Sequence, residues 1–377
     1  MDIFSTPAPA GTESPDHCPN EACPYHRPRP GWAYKKAGFF RRSSDGRKIQ
    51  RFRCLECGRF FSSVTFATTY WLRLRHLLIP IAQLAVSGAG LRQIARTLGV
   101  SHSTVARHIG RAARHCLLLH STFINRHPLT ESCAVDGIET YEYSQYFPCH
   151  YHIASGRDSW LIHGFLDSPL RRKGRMTPYQ KKMRALLEKK LGRPDPKAVE
   201  IDMGFLVEGL LDRVLEDRQL ELHSDEHPAY KRAIDGIISR RGDVLNHETI
   251  SSKAARTSEN PLFVINAFDS FLRHSQANHR RETIAASKRR QMGLERLAVF
   301  MVWRNLVKRR FENGPDESSA MVGGWTDRKW NWGDVFRGRQ FLNHVQLPRR
   351  WDEYYWRRVK TLIYGDRQVE HRCKYAR

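Results

Sequence analysis

Between residues 70 and 126, apolar positions, mostly alanine and leucine, recur three and four apart, the period of helices that bury one face. From Glu131 the period becomes that of strands. Short segments rich in β-branched and aromatic residues span 134–143, 150–154 and 160–166 and resume at 220–224 and 244–250. The interval between, about 175–217, predicts a helical insertion. It holds a charged helix over 180–191, the breaker Gly192-Arg193-Pro194-Asp195-Pro196 and an amphipathic helix around 206–215. Further on, Asn260 as cap and Pro261 in the first turn predict a helix with Leu262, Ile265, Phe268 and Leu272 facing inward. A very apolar helix follows over 294–307. Strands interleaved with helices predict an α/β unit.

The flanks read differently. Residues 1–16 are rich in Pro, Ser and Thr and are expected to be disordered. Residues 17–66 have few helix-forming stretches, a loop-and-hairpin pattern that buries too little apolar surface to fold without metal. After Gly314 the chain is rich in Trp, Tyr and Arg without clear periodicity, and no internal repeat is visible. The expected organisation is therefore a multidomain α+β chain. Its parts are a tail (1–16), a metal-binding ribbon (17–66), a helical domain (67–128), an α/β domain carrying the insertion (129–313) and a basic, Trp-rich extension (314–377).

At 377 residues the chain has room for two or three cores, and 63 Lys+Arg against 39 Asp+Glu leave a formal charge of +24. That excess points to a polyanionic partner, nucleic acid first and an anionic membrane surface second. The apolar run at 297–303 is far too short to span a bilayer. The opening Met1-Asp2-Ile3-Phe4-Ser5-Thr6 lacks the basic start and apolar stretch of a secretory signal, so the thiols are expected in a reducing cytosol, where paired cysteines favour metal over disulfide.

Cys18 and Cys23 form one short pair, Cys54 and Cys57 another, and four such thiolates suit one closed, structural Zn2+ site. Gly58 permits the positive backbone angle that aims amides at the sulfurs. His17 and His26 lie close enough in sequence to replace one cysteine. Basic residues dominate the stretch from Arg27 to Arg53, interleaved with Trp32, Tyr34, Phe39 and Phe40, a mix that grips phosphates and stacks on sugars or bases. Cys116, Cys133, Cys149 and Cys373 show no pairing and read as small core residues.

Residues 91–109, LRQIARTLGVSHSTVARHI, read as a helix bearing Ile94, Ala95 and Leu98, a turn at Gly99, and a second helix capped by Ser101 and packed through Val105 and Ile109. This is a helix-turn-helix pattern. Its second helix is expected to turn His102, Ser103, Thr104, Arg107 and His108 toward the groove of double-stranded DNA.

The third constellation is acidic. Asp136 interrupts the apolar strand Ala134-Val135-Asp136-Gly137-Ile138, where a carboxylate is costly unless it binds a cation. Asp225 ends the strand segment 220–225, before His227-Pro228 and a helix. Two carboxylates on adjacent strands repel each other and gain from a divalent ion, which points to magnesium or manganese chemistry on phosphodiesters.

Together, the FRCLECGRFFS knuckle of residues 52–62, the helix-turn-helix, Val135-Asp136-Gly137 and the SDEHPAY run of residues 224–230 resemble a bacterial insertion-sequence transposase of the DDE type over most of residues 17–311. The resemblance implies a ribonuclease-H-like domain, a mixed sheet flanked by helices, and two Mg2+ or Mn2+ ions. It implies a cytoplasmic, nucleoid-associated protein that cuts and joins DNA at an element's terminal inverted repeats, and an oligomer that holds two ends at once. Asp136 then matches the first acid and Asp225 the second. For the third, Asn266-Ala267-Phe268-Asp269 fits an N-x-I-E-like pattern with Asp in place of Glu, which makes Asp269 the choice over Glu295 and Glu282. Arg280, Arg281, Lys288, Arg289 and Arg290 are expected beside the acids, and Tyr354-Tyr355-Trp356 either stack on unpaired bases or pack in a core. Other classes stay open: a zinc-dependent DNA-binding regulator with a degenerate catalytic domain, a nuclease without strand transfer, and an RNA-binding zinc protein.

Overall fold

The computed structural model describes residues 14–242, 244–251, 253–280 and 283–367. Residues 1–13 of the expected tail lie outside the described residues. The N-terminal unit is an antiparallel sheet of β1 (Tyr34–Arg41), β2 (Lys48–Cys54) and β3 (Phe60–Ser62) in sequential order. Phe52, Phe61 and Phe66 pack on Cys18, Cys23 and Cys54, and Phe341 arrives from the far end of the chain to close this small cluster.

Three helices follow: α1 (Leu78–Val86), α2 (Leu91–Thr97) and α3 (His102–Ile124). Ile81, Ala85, Ile94, Ala95, Val105 and Ile109 form their shared core. Gly99 sits at φ +63°, a turn that a side chain would strain, and the Ser101 hydroxyl accepts the Thr104 N–H at 3.2 Å, capping α3. Beyond Ile109, α3 continues into the main core of the molecule, with Ala112, Ala113, Cys116, Leu117 and Leu118 buried there. One helix thus belongs to two packing units.

The second sheet has the order β6-β5-β4-β7-β8. β4 (Cys133–Tyr141), β5 (Pro148–Gly156) and β6 (Ile162–Pro169) run antiparallel in succession. The chain then passes through α4 (Pro178–Leu191) and α5 (Ala198–Leu211) and returns as β7 (Leu220–Asp225), parallel to β4. After α6 (Pro228–Arg241), β8 (Leu245–Ile250) adds in parallel to β7. Each strand lies within a few residues of its expected span. The second insertion helix starts earlier than expected, at Ala198, directly after the turn in which the Ala198 N–H reaches the Asp195 carbonyl. α5 packs on α6 and on β5 and β6, α7 (Phe263–Ser275) crosses β4 and β5, and α8 (Arg290–Val302) lies along α3. α8 starts at Arg290 rather than at 294 and passes into a π-helical turn, Trp303–Val307.

The Trp-rich extension is core. It forms the short helices α9 (Ser319–Val322), α10 (Trp332–Val335) and α11 (Trp351–Tyr355), and Trp325, Trp332, Trp351, Tyr354 and Tyr355 are all buried in the main cluster. Base stacking by Tyr354 and Tyr355 is therefore excluded, since both rings are fully engaged inside the protein.

Candidate DNA interface and acidic centre

The four cysteines converge. Their sulfurs all lie within 4.8 Å of one another, with Cys18 and Cys57 3.6 Å apart and Cys23 and Cys54 3.9 Å apart. A tetrahedron with Zn–S arms of about 2.3 Å has edges of about 3.8 Å, so the arrangement fits a zinc ion. Burial acts to raise the Cys54 thiol, but the Trp32 indole N–H and the amides of Cys57 and Glu56 outweigh it and hold Cys54 down to about 7. Neither histidine joins the cluster: the Nδ1 of His17 faces the Asp16 carboxylate at 2.6 Å and the Nδ1 of His26 donates to the Cys18 carbonyl at 3.0 Å. On the same unit Lys48 lies over the exposed ring of Phe39, and Arg51 and Arg53 over that of Phe60. Cations and open aromatic faces alternate there, as a backbone-gripping surface requires.

At the start of α3, His102, Ser103 and Arg107 are exposed and Thr104 is half-buried. His108 departs from expectation. It is buried, and its two ring nitrogens contact the Thr104 carbonyl at 2.8 Å and the Leu74 carbonyl at 2.8 Å, so it anchors the helix and does not face a groove. Arg92 and Arg96 on α2 are exposed beside this face and add to its positive charge, which sequence reasoning passed over.

Asp136 and Asp225 each stand one residue beyond the last matched pair of β4 and β7, Val135 and Ser224, and so come side by side on these neighbouring interior strands, where β7 ends. Asp136 feels both Asp225 and Asp269, the latter on α7. Burial first, then Asp225 and Asp269, push Asp136 up to about 7 against the opposing pull of the Gly137 N–H and Arg256. Burial together with two neighbouring carboxylates thus disfavours the ionised form of this half-buried acid. Among the described residues the cysteines are the group whose ligand atoms fall within 4.8 Å of one another, and the three carboxylates are spread more widely.

The other expected residues sort as follows. Glu295 is buried against α3, where its carboxylate pairs with Arg357 at 2.7 Å and lies within 3.5 Å of where a Cβ on Gly110 would stand. Glu282 and Arg281 lie outside the described residues, as does Cys373. Arg280 and Lys288 are exposed, and Arg289 is half-buried over the Tyr364 ring. Arg290 is buried, paired with Asp167 at 2.8 Å, and so is withdrawn from any scissile strand. Cys116, Cys133 and Cys149 are buried core residues as expected.

Sequence reasoning missed the layer beneath the acids. The buried Tyr230, in the first turn of α6, feels Asp136, Asp225 and Asp269, and burial above all holds its hydroxyl protonated. Ser168 donates to Asp202 at 2.7 Å. His152 therefore donates from Nε2 to Ser168 at 2.7 Å, and its Nδ1 accepts the Tyr230 hydroxyl at 3.3 Å. Asp202 in turn binds Arg350 at 2.7 Å. His150 passes over β4 so closely that a Cβ on Gly137 would stand 2.2 Å from its Nε2, so any other residue beside Asp136 would displace that ring. The HPAY portion of the 224–230 run carried this signal, because Pro228 and Tyr230 set the turn and the buried hydroxyl directly after Asp225.

No helix among the described residues is long and apolar enough to cross a membrane. Comparison with curated proteins returns no match. Residues 80–112, from α1 through the first half of α3, match the family model of a helix-turn-helix domain, a family found in transposases. The chain thus carries a helix-turn-helix domain, and this domain points to DNA as its partner.

Proposed function

We propose that this chain is a transposase of the DDE type, which binds the ends of a mobile element and cuts and rejoins DNA. The observation that carries this reading is that Asp136 and Asp225 stand side by side on the interior strands β4 and β7 of a sheet ordered β6-β5-β4-β7-β8, close enough to Asp269 for Asp136 and Tyr230 to feel its charge. Three antiparallel strands followed by two parallel ones, with acids on two neighbouring interior strands and on a later helix, support the ribonuclease-H-like reading. The donor set suits hard divalent cations, since three carboxylates offer oxygen ligands with excess negative charge, and burial disfavours the charge on Asp136. Two Mg2+ ions bound there would activate water or a DNA 3′-hydroxyl and neutralise the leaving oxygen.

The protein's own contribution is placement. α3 and α2 hold duplex DNA through Arg92, Arg96 and Arg107, and the four-cysteine ribbon adds a second basic surface. Asp136, Asp225 and Asp269 would hold the ions, and the buried Tyr230, whose hydroxyl donates to His152, lies close enough to feel all three carboxylates. Holding two element ends together calls for more than one copy of the chain. The test uses a plasmid carrying the chain's own coding segment with its flanking DNA. With Mg2+, the purified protein is expected to release or join the ends. Asp136→Ala, Asp225→Ala and Asp269→Ala should each lose cleavage while keeping DNA affinity. Binding without cleavage by the unaltered protein would leave a DNA-binding regulator in its place.

A further inference from the structure

A cavity of about 370 Å³ opens where α4 leans over the far ends of β5 and β6, well away from the acidic centre. Its size falls in the range of small-ligand sites. The wall is cationic. Arg171, Arg184 and Arg193 all converge on the one carboxylate of Glu188, at 2.8, 3.5 and 2.8 Å. One acid cannot neutralise three guanidinium groups, so the cluster carries excess positive charge. Arg172 adds a fourth cation, with its Nη1 buried and lacking a hydrogen-bond partner, and its guanidinium lies 4.9 Å above the Tyr146 ring. A buried guanidinium N–H without an acceptor costs free energy that an incoming oxyanion would recover. The floor is apolar, with Phe147, Pro148, Leu170 and Leu187.

An oxyanion clamp beside an apolar floor is the chemistry of a nucleotide site. The position fits DNA bound at the acids: β4 runs five residues from Asp136 to Tyr141, whose partner Pro148 lines the cavity. At roughly 3.4 Å per residue this is about 17 Å, a path of about five stacked nucleotides. We propose that this cavity takes one unpaired nucleotide of a DNA strand, its phosphate on Arg171, Arg172, Arg184 and Arg193 and its base on the floor formed by Phe147 and Leu187. The assignment to a DNA strand rests on the function proposed above, whereas the nucleotide site itself does not.

The experiment measures binding to the full chain without divalent ion, so that its result is independent of cleavage. Deoxyadenosine monophosphate, inorganic phosphate and a short single-stranded oligonucleotide are titrated separately by calorimetry. The mononucleotide is expected to bind one per chain and at least tenfold more tightly than phosphate. Two variants are compared: Arg172→Ala with Arg184→Ala, which removes charge, and Leu187→Trp, which fills the cavity and leaves every cation in place. Each should weaken the mononucleotide and the oligonucleotide at least tenfold, with duplex binding and melting temperature unchanged. Equal binding of phosphate and mononucleotide, or undiminished binding by Leu187→Trp, overturns the site. A loss confined to the free mononucleotide overturns the strand assignment. Intact nucleotide binding in a protein that never cleaves DNA would count against the transposase reading alone.

Discussion

Asp136 is placed where burial and two like charges disfavour its ionised form, and its titration therefore offers a test of the proposed cation site. Its pKa in the fold is about 7 against 3.8 in a free chain. Between those values the folded protein holds a proton that the unfolded chain has released. Stability of the ion-free protein should therefore fall as pH rises from about 4 to about 7, then level off. Mg2+ must displace that proton, so its stabilising effect should grow across the same window. Asp136→Asn removes the charge and keeps the shape. It is expected to raise the melting temperature of the ion-free protein at pH 8, and to abolish the further rise on adding Mg2+. Calorimetric scans at pH 5 and pH 8, with and without the ion, check both; a Mg2+ shift that survives Asp136→Asn would sink the acidic-centre assignment. The neighbouring positions of Asp136 and Asp225 were legible because one acid interrupts an apolar strand and the other ends a strand before a turn and a helix. Glu295 was not, since its partner Arg357 lies 62 residues away in sequence. His152 and Asp202 escaped notice for the same reason: their bonds cross the sheet to partners that no local pattern names.

The helices of the helix-turn-helix domain, called the reader after its proposed role, show how far periodicity carries and where it stops. The turn at Gly99, the cap at Ser101 and the buried Val105 and Ile109 all follow from spacing. His108 does not, because the deciding acceptor, the Leu74 carbonyl, comes from a loop before α1. Two adjacent residues of α3 should thus behave oppositely. Arg107→Ala should weaken duplex binding and flatten its salt dependence while leaving the melting temperature unchanged. His108→Ala should lower stability by about 1–3 kcal/mol, because it strands the Leu74 carbonyl. Fluorescence anisotropy at several salt concentrations and thermal melts distinguish the pair; unchanged stability in His108→Ala would contradict its anchoring role. The ribbon's cysteines were readable from pairing alone, and their fit to one tetrahedral ion gives a further test. Native mass spectrometry should find one zinc per chain, and Cys23→Ser should lose it together with amide protection in β1 to β3, while the larger sheet stays protected.

The joins between these parts were hidden from the sequence. Boundaries at 128 and 314 assume that a change of pattern marks a change of core, yet α3 runs from the reader into the main cluster and the Trp-rich extension fills that same cluster. Short helices such as α10 and α11 are too brief to show a period, so the burial of Trp332 and Trp351 had no local signal. The reader is also fastened to the helix that bears Asp269. The Gly88 N–H, in the turn between α1 and α2, donates to the Ser275 carbonyl at the end of α7 at 2.9 Å. Arg296 of α8 completes the joint, donating to the carbonyls of Ala85 and Ala89 at 2.8 and 3.1 Å and to Gln276 at 3.0 Å. Its guanidinium is fully buried, and burial lowers it to about 10, so it keeps its charge at neutral pH. Truncating it would leave two carbonyls and an amide oxygen without donors in a dry interface. Arg296→Ala is expected to cost about 2–4 kcal/mol, read by denaturant unfolding. Hydrogen exchange should rise together in the α1–α2 turn and at the end of α7, as it should if one residue ties reader and acidic centre. Loosening confined to the α1–α2 turn would mean that the two units are merely adjacent.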